Sequence, residues 1–277
     1  MHRKILLIVT ALSMTLPGAA PGLEMSEPVY SEVTFGAGFV TEDAFRFGRF
    51  NGLEEEGVFL LGDVNTRHYG SDGGYWKTRG TNLGLDSRYL RLDYGIYGRQ
   101  KYFLEYDKLP YNRSDSVRTP FIGTGGPTLT LGSDLMPFNI ESERERIGLG
   151  ARLFKRQRWK FDIASHHETR EGTDKTGGAI LYNFTQALRN TNAALLPEPV
   201  DYQTDRVDLS LQYEREQLQF ELAYHMSLFD NDEHALTWED PFSPASFGSQ
   251  SLAPDNEFHQ LTASLGYRPV SYTHLTL

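Results

Sequence analysis

From Tyr202 to Phe229 the chain alternates in steps of two. Val207, Leu209, Leu211 and Tyr213 share one face, against Arg206, Asp208, Ser210 and Gln212. After a short charged turn at Glu214 to Gln217 the pattern resumes. Leu218, Phe220, Leu222, Tyr224, Met226 and Leu228 then stand against Gln219, Glu221, Ala223, His225 and Ser227. Successive side chains of a strand point to opposite faces, so this stretch predicts a two-stranded hairpin with one apolar and one polar face. Each arm has about 10 residues, enough to cross a bilayer at a steep tilt. The same pattern in a soluble sheet would turn its apolar face into a core, and the rest of the chain has to decide between the two.

Similar segments recur. Leu90 to Ile96, Lys101 to Leu109, Glu143 to Leu153, Trp159 to Ile163 and Phe258 to Tyr267 all alternate, and Val58 to Tyr69 reads as a strand. Part of Gly36 to Gly52 reads as extended. Tyr75 to Tyr97 is read as one long strand with a bulge near Gly84 to Ser87, in preference to two strands broken there. Short turns at Gly98–Gln100, Lys155–Arg158 and Glu214–Gln217 alternate with long polar connections at 110–142, 168–201 and 230–257. In an up-and-down sheet this sorts the turns by length onto opposite ends, as in outer-membrane barrels, where short turns are periplasmic and long loops extracellular. A sandwich has no reason to do so.

Charge supports the membrane reading. The apolar faces of Leu90–Ile96, Ile147–Leu153 and Leu218–Leu228 hold no charged residue. The opposite faces hold Arg91, Asp93, Arg146, Arg152, Asp162, Arg206, Asp208 and Glu221. Tyr102, Trp159, Tyr213 and Tyr267 fall beside the short turns, where an interfacial aromatic girdle belongs. The expected fold is therefore all-β: an antiparallel transmembrane β-barrel, incomplete, with about nine or ten strands of a larger one. No return partner for the last strand is visible, and a barrel must close in lipid.

Residues 1–22 read as a signal peptide: Arg3 and Lys4, the apolar run Ile5 to Leu16, then Pro17-Gly-Ala-Ala20, with cleavage near Gly22. Residues 23–268 are assigned to the barrel. Residues 269–277 are read as a non-native tail on a chain that is the N-terminal part of a longer protein. The chain has no cysteine and a net charge of −10. That excludes disulfides, thiolate metal sites and C-x-x-C-H haem attachment, and argues against nucleic acid as a partner. Export with this composition points to the outer membrane of a Gram-negative bacterium.

No Walker loop, G-x-S-x-G or H-E-x-x-H motif occurs. His166 and His167 are adjacent, so on a strand they point apart and cannot share a metal. Asp230, Asp232, Glu233 and His234 are read as a solvated loop opening in preference to a Ca²⁺ site. Gly123 to Gly126 lacks the following helix that a phosphate cradle needs. No catalytic, cofactor-binding or metal-ligating residue is assigned, and the chain is expected not to be an enzyme.

The stretches GFVTEDAFRFGRFNGLEEEGVFLLGDV (38–64) and YWKTRGTNLGLDSRYLRLDYGIYGRQKYFLEYDKLPYNRSDSVRTPF (75–121) resemble the MtrB/PioB family of decahaem-associated outer-membrane proteins. NLGLDSR, Tyr106-Asp-Lys-Leu-Pro110 and Arg118-Thr-Pro-Phe121 are specific in combination. The resemblance covers about 38–268. It implies a barrel that sheathes a periplasmic multihaem (decahaem) c-type cytochrome. Electrons would then cross the outer membrane along the partner's haems, in some cases to an extracellular multihaem cytochrome. Some members carry a C-x-x-C near the mature N-terminus, and this chain has none. The competing readings are a passive outer-membrane porin and an outer-membrane hydrolase.

Overall fold

The Tyr202–Phe229 alternation becomes a ladder without slips. Strand β9 (Thr191–Arg215) pairs antiparallel with β10 (Leu218–Asn231), Leu211 facing Leu222 and Asp208 facing His225. Directly paired residues share a face, so the apolar set of one arm meets that of the other. In a computed structural model, residues 7–17, 30–156, 158–181, 191–241 and 246–269 are described. The other strands are β1 (Leu7–Pro17), β2 (Tyr30–Val40), β3 (Gly57–Tyr69), β4 (Gly74–Thr81), β5 (Tyr89–Ile96), β6 (Gln100–Ile122), β7 (Thr128–Lys155), β8 (Trp159–Leu181), β11 (Ala235–Glu239), β12 (Phe247–Ser251) and β13 (Asn256–Tyr267).

Strands β1 to β10 follow one another in sheet order, and β13 takes the place beside β10. The apolar run read as an export signal lies along β2 as β1. Of residues 269–277, all but Pro269 lie outside the described residues. No helix among the described residues is long and apolar enough to cross a membrane.

The stretch 75–97 is two strands, a correction to the single-strand expectation. β4 folds back on β5 with Gly74 facing Ile96 and Thr81 facing Tyr89. The reversal at 82–88 has a local cause. Asn82 adopts a left-handed φ of 55°, and its N–H donates to Asp63 Oδ1 at 2.8 Å. Gly84 passes so close to the Leu60 carbonyl oxygen that a Cβ would sit 2.2 Å from it. With β4 and β5 separate, the reversals at 70–73, 97–99, 156–158 and 216–217 all fall at one end. The connections 41–56, 82–88 and 123–127 fall at the other, as do the facing ends of β10 and β13, so among the described connections the shortest turns keep to one end.

The long connections are made largely of strand. β6, β7, β8 and β9 run for 23, 28, 23 and 25 residues, more than twice the length a bilayer requires. Their distal halves carry polar residues on both faces, and Thr119, Phe121, Leu129, Phe138 and Leu196 in them are buried.

At the far end these strands support a small separate core. Hairpin β11–β12 folds back, and Thr237 pairs in parallel with Thr128 of β7. Leu236, Trp238 and Leu252 pack with Phe121, Leu129 and Leu196. The hairpin is also tied by backbone N–H donation from Thr237 to Pro127 O at 2.8 Å and from Leu131 to Glu239 Oε2 at 2.9 Å. A second core, Val40, Phe59 and Leu85, is covered by Phe47, Leu53 and Leu61. There the connection 41–56 folds against the upper part of β2 and β3.

Glu198 stands in the distal part of β9, opposite Asp174. Burial, and then the Asp174 charge, push its carboxyl above the usual carboxylate range. A raised folded-state value means that the folded form takes up the proton more readily. Burying the charge is therefore a penalty at neutral pH. It fades as pH falls through the folded-state value and is gone below the unfolded one. Glu198→Gln is expected to slow proteolysis of the distal strands at pH 7 and to make no difference near pH 4. A variant no more resistant than the parent at pH 7 would refute this.

Candidate functional site: the two faces of the wall

Cross-strand pairing sorts every side chain of the spanning region. Leu92, Leu104, Leu149, Ile163, Leu209, Leu222 and Ala263 belong to one face through directly paired or aligned positions. Much of this face lies bare: Leu149 is 55% exposed and Leu265 72%. For a water-soluble chain that would be an apolar patch far beyond the usual size.

The apolar face has two borders. At the short-turn end Tyr94 stacks on Tyr102 with ring centroids 6.4 Å apart, and Trp159 packs on Tyr213 at 4.6 Å. At the other end the first charges on this face appear. Lys108 pairs with Glu143 at 2.6 Å, and His167 with Asp205 at 2.7 Å. Tyr106 and Tyr224 stand just inside, donating to or sharing a proton with Glu145 and His259. From Trp159 to His167 is about eight steps, ~27 Å along a strand and ~20 Å along the normal at a tilt of ~40°. That is close to the apolar band of ~25 Å expected of outer-membrane barrels.

The opposite face is charged. Glu105 accepts from Arg91 at 2.5 Å, from Arg146 at 3.0 Å and from Tyr89 Oη at 3.2 Å. Asp107 pairs with Arg144 at 2.7 Å, and Asp93 with Arg91 at 3.1 Å and Lys101 at 3.2 Å. Asp162 holds Arg152 and Lys160, and Asp208 holds His225 Nδ1 at 2.6 Å. Glu221 accepts from Gln212 Nε2 at 2.9 Å. Most of these charges are matched within the wall, which leaves a hydrated, nearly balanced surface.

This face is concave. Arg91, Lys101, Lys160, Asp208, His225 and Thr262 line one hollow of about 560 Å³. They come from strands as far apart as β5 and β13. Strands lie ~4.8 Å apart, so a flat sheet could not bring them together. The sheet curves with its charged face inward.

The residues weighed for chemistry do not assemble. His166 faces inward beside Phe103, while His167 faces outward to Asp205. Asn231, among Asp230 to His234, organises the loop by donating Nδ2–H to Ala253 O at 2.8 Å. Gly123 to Gly126 is the tight β6–β7 turn, with left-handed Gly123 and Gly125. No group of three or more metal-ligating side chains converges among the described residues. Glu105, Asp107 and Arg144 are inward charges that the sequence reading does not name. The step-of-two rule applied to Lys101–Leu109 would have found the first two.

A curved antiparallel sheet, greasy outside within aromatic borders and ionic inside, is the wall of an outer-membrane β-barrel. The family model described as outer membrane beta-barrel porin, MtrB/PioB, matches residues 39–277, and the chain belongs to that family. It is 27% identical over 251 residues to "Outer membrane protein MtrB" of Shewanella baltica (strain OS185), a match covering 83% of this chain and 34% of that protein. The chain thus spans about a third of the length of the curated relative it matches.

Proposed function

We propose that this chain is exported on residues 1–22 and contributes to a barrel that houses a periplasmic multihaem c-type cytochrome. The barrel insulates the cytochrome from lipid and so supports electron transfer across the outer membrane. Its role is that of a sheath, and it catalyses nothing itself. The observation that carries this reading is the wall. Its outer face suits hydrocarbon, and its inner face is a continuous ionic and hydrogen-bonding surface of the kind a protein guest can lie against. With no cysteine the chain cannot attach haem through C-x-x-C-H, so the redox groups belong to the partner. An extracellular multihaem cytochrome could receive or deliver electrons at the long-strand end.

The test is purification of the full-length protein from its host in mild detergent. A haem absorbance that co-elutes with the barrel, with little ion conductance in a planar bilayer, is the expected result. A haem-free barrel that conducts ions would establish the porin reading instead.

A further inference from the structure

The first part of the inner wall departs from the balance of the rest. On β3 and β4, Arg67 faces Lys77 directly; between β4 and β5, Arg79 faces Arg91. Like charges in directly opposed positions of a sheet repel, and this register sets two such pairs side by side. Asp93 and Lys101 complete the group, and together these six residues line a hollow of about 310 Å³.

Asp93 is already shared by Arg91 and Lys101. Lys77 rests over the rings of Tyr75 and Tyr69, 5.3 and 6.0 Å from their centroids. Among the described residues the guanidinium groups of Arg67 and Arg79 make no ion pair, and both side chains are exposed. Glu32 and Asp63 line the adjoining hollow. Asp63 already accepts the Asn82 N–H, and neither acid forms an ion pair with a described cation. Five cations thus line this hollow; Arg91 is held by Asp93 and Glu105 and Lys101 by Asp93, while Arg67, Lys77 and Arg79 form no ion pair among the described residues. The repulsion between Arg67 and Lys77, and the charge of Arg79, is met by no ion pair among the described residues. It would be relieved by an anion arriving from the lumen.

We propose that Arg67, Lys77, Arg79, Arg91 and Lys101 form a docking patch for a carboxylate-rich surface of the protein guest in the lumen. The width favours a protein surface over a small anion. The cations span four strands, about 14 Å at ~4.8 Å per strand, and a single phosphate cannot bridge them. The patch lies at the short-turn end, so it meets the periplasmic portion of the guest and fixes its depth and rotation. This inference rests on the sheath reading.

The experiment uses the full-length barrel with its guest, extracted from the host and washed with rising NaCl, with bound haem followed by absorbance. Arg67→Gln/Lys77→Gln/Arg79→Gln is compared with Arg67→Lys/Arg79→Lys and with the single Arg79→Gln. The salt concentration that strips half the haem is expected to fall roughly threefold or more in the triple variant, because surface attraction of this kind is screened by salt. It should fall by less in Arg79→Gln and stay at the parental value in the Lys variant. Heat-modified gel mobility should show all the barrels folded, with the triple variant at least as heat-resistant as the parent because the repulsion is gone. An unchanged salt profile in the Gln variants, or an equal loss in the Lys variant, would overturn the patch while leaving the sheath reading intact. Should the parent itself carry no haem, both fall together.

Discussion

Trp238→Ala is expected to open the distal end of the protein while the membrane-spanning region stays folded. Trp238 is 7% exposed, and it lies in the core made by Phe121, Leu129, Leu196, Leu236 and Leu252. Its ring lies so close to Gly178 and Gly248 that a Cβ on either would meet it, at 3.3 and 2.4 Å. Removing the ring leaves a void that these neighbours, fixed in strand ladders, cannot fill. A cost of about 3–5 kcal/mol follows for a buried Trp of this kind.

The loss should be local. β11 and β12 join the sheet through two paired positions on β7 and a few hydrogen bonds, whereas β6–β7 and β8–β9 are long ladders. A unit so attached opens independently of the rest. Proteinase added to intact cells should cleave the variant in the distal region and leave the parent whole. The two should share the same heat-modified gel shift. Equal resistance in both would show that the hairpin does not depend on Trp238. Cleavage that requires permeabilised cells would place the long-strand end in the periplasm and reverse the orientation.

The sequence reveals one half of this wall much better than the other. Where one face meets lipid and the other water, composition alternates with the pleat. The register at Leu209, Leu211 and Leu222 can then be read directly. Beyond Lys108 and Glu143 neither face meets lipid, polar residues stand on both, and the alternation disappears although the strands continue. Pro110, Pro137, Pro197 and Pro199 lie within those continuations. Proline is a strand breaker by ordinary rules, so the segments read as loops.

The reversal at 82–88 is ambiguous in the sequence for a different reason. Gly84 is compatible with a bulge or a turn, and only the approach to Leu60 on β3 decides between them. The distal core joins residues from Phe121 to Leu252, too far apart for any local pattern. The cationic patch is likewise invisible until register sets Arg67 against Lys77 and Arg79 against Arg91. Individual inward charges such as Arg91 and Asp93 are readable from the strand period, but their partners are not.

The claim that the two faces meet different media is best tested by placing an arginine on each. Leu149 points outward, midway between Leu153 near the short-turn border and Glu145 at the other. Ala164 points inward from β8, paired with Gly150 on one side and Asp208 on the other. Leu149→Arg places a guanidinium in the apolar band, where it costs about 2–4 kcal/mol at the midplane and less toward either border. Ala164→Arg places the same group in the wet lumen beside a carboxylate, where a cross-strand opposite-charge pair contributes roughly 0.2–1 kcal/mol in its favour. Both variants add one guanidinium of the same charge to a strand, so a gap far larger than the loss of a Leu side chain reports the medium. Urea unfolding of the full-length barrel in lipid vesicles should put Leu149→Arg well below the parent and Ala164→Arg close to it. Equal losses would mean that both faces see the same surroundings, and the sheet would then be no membrane wall.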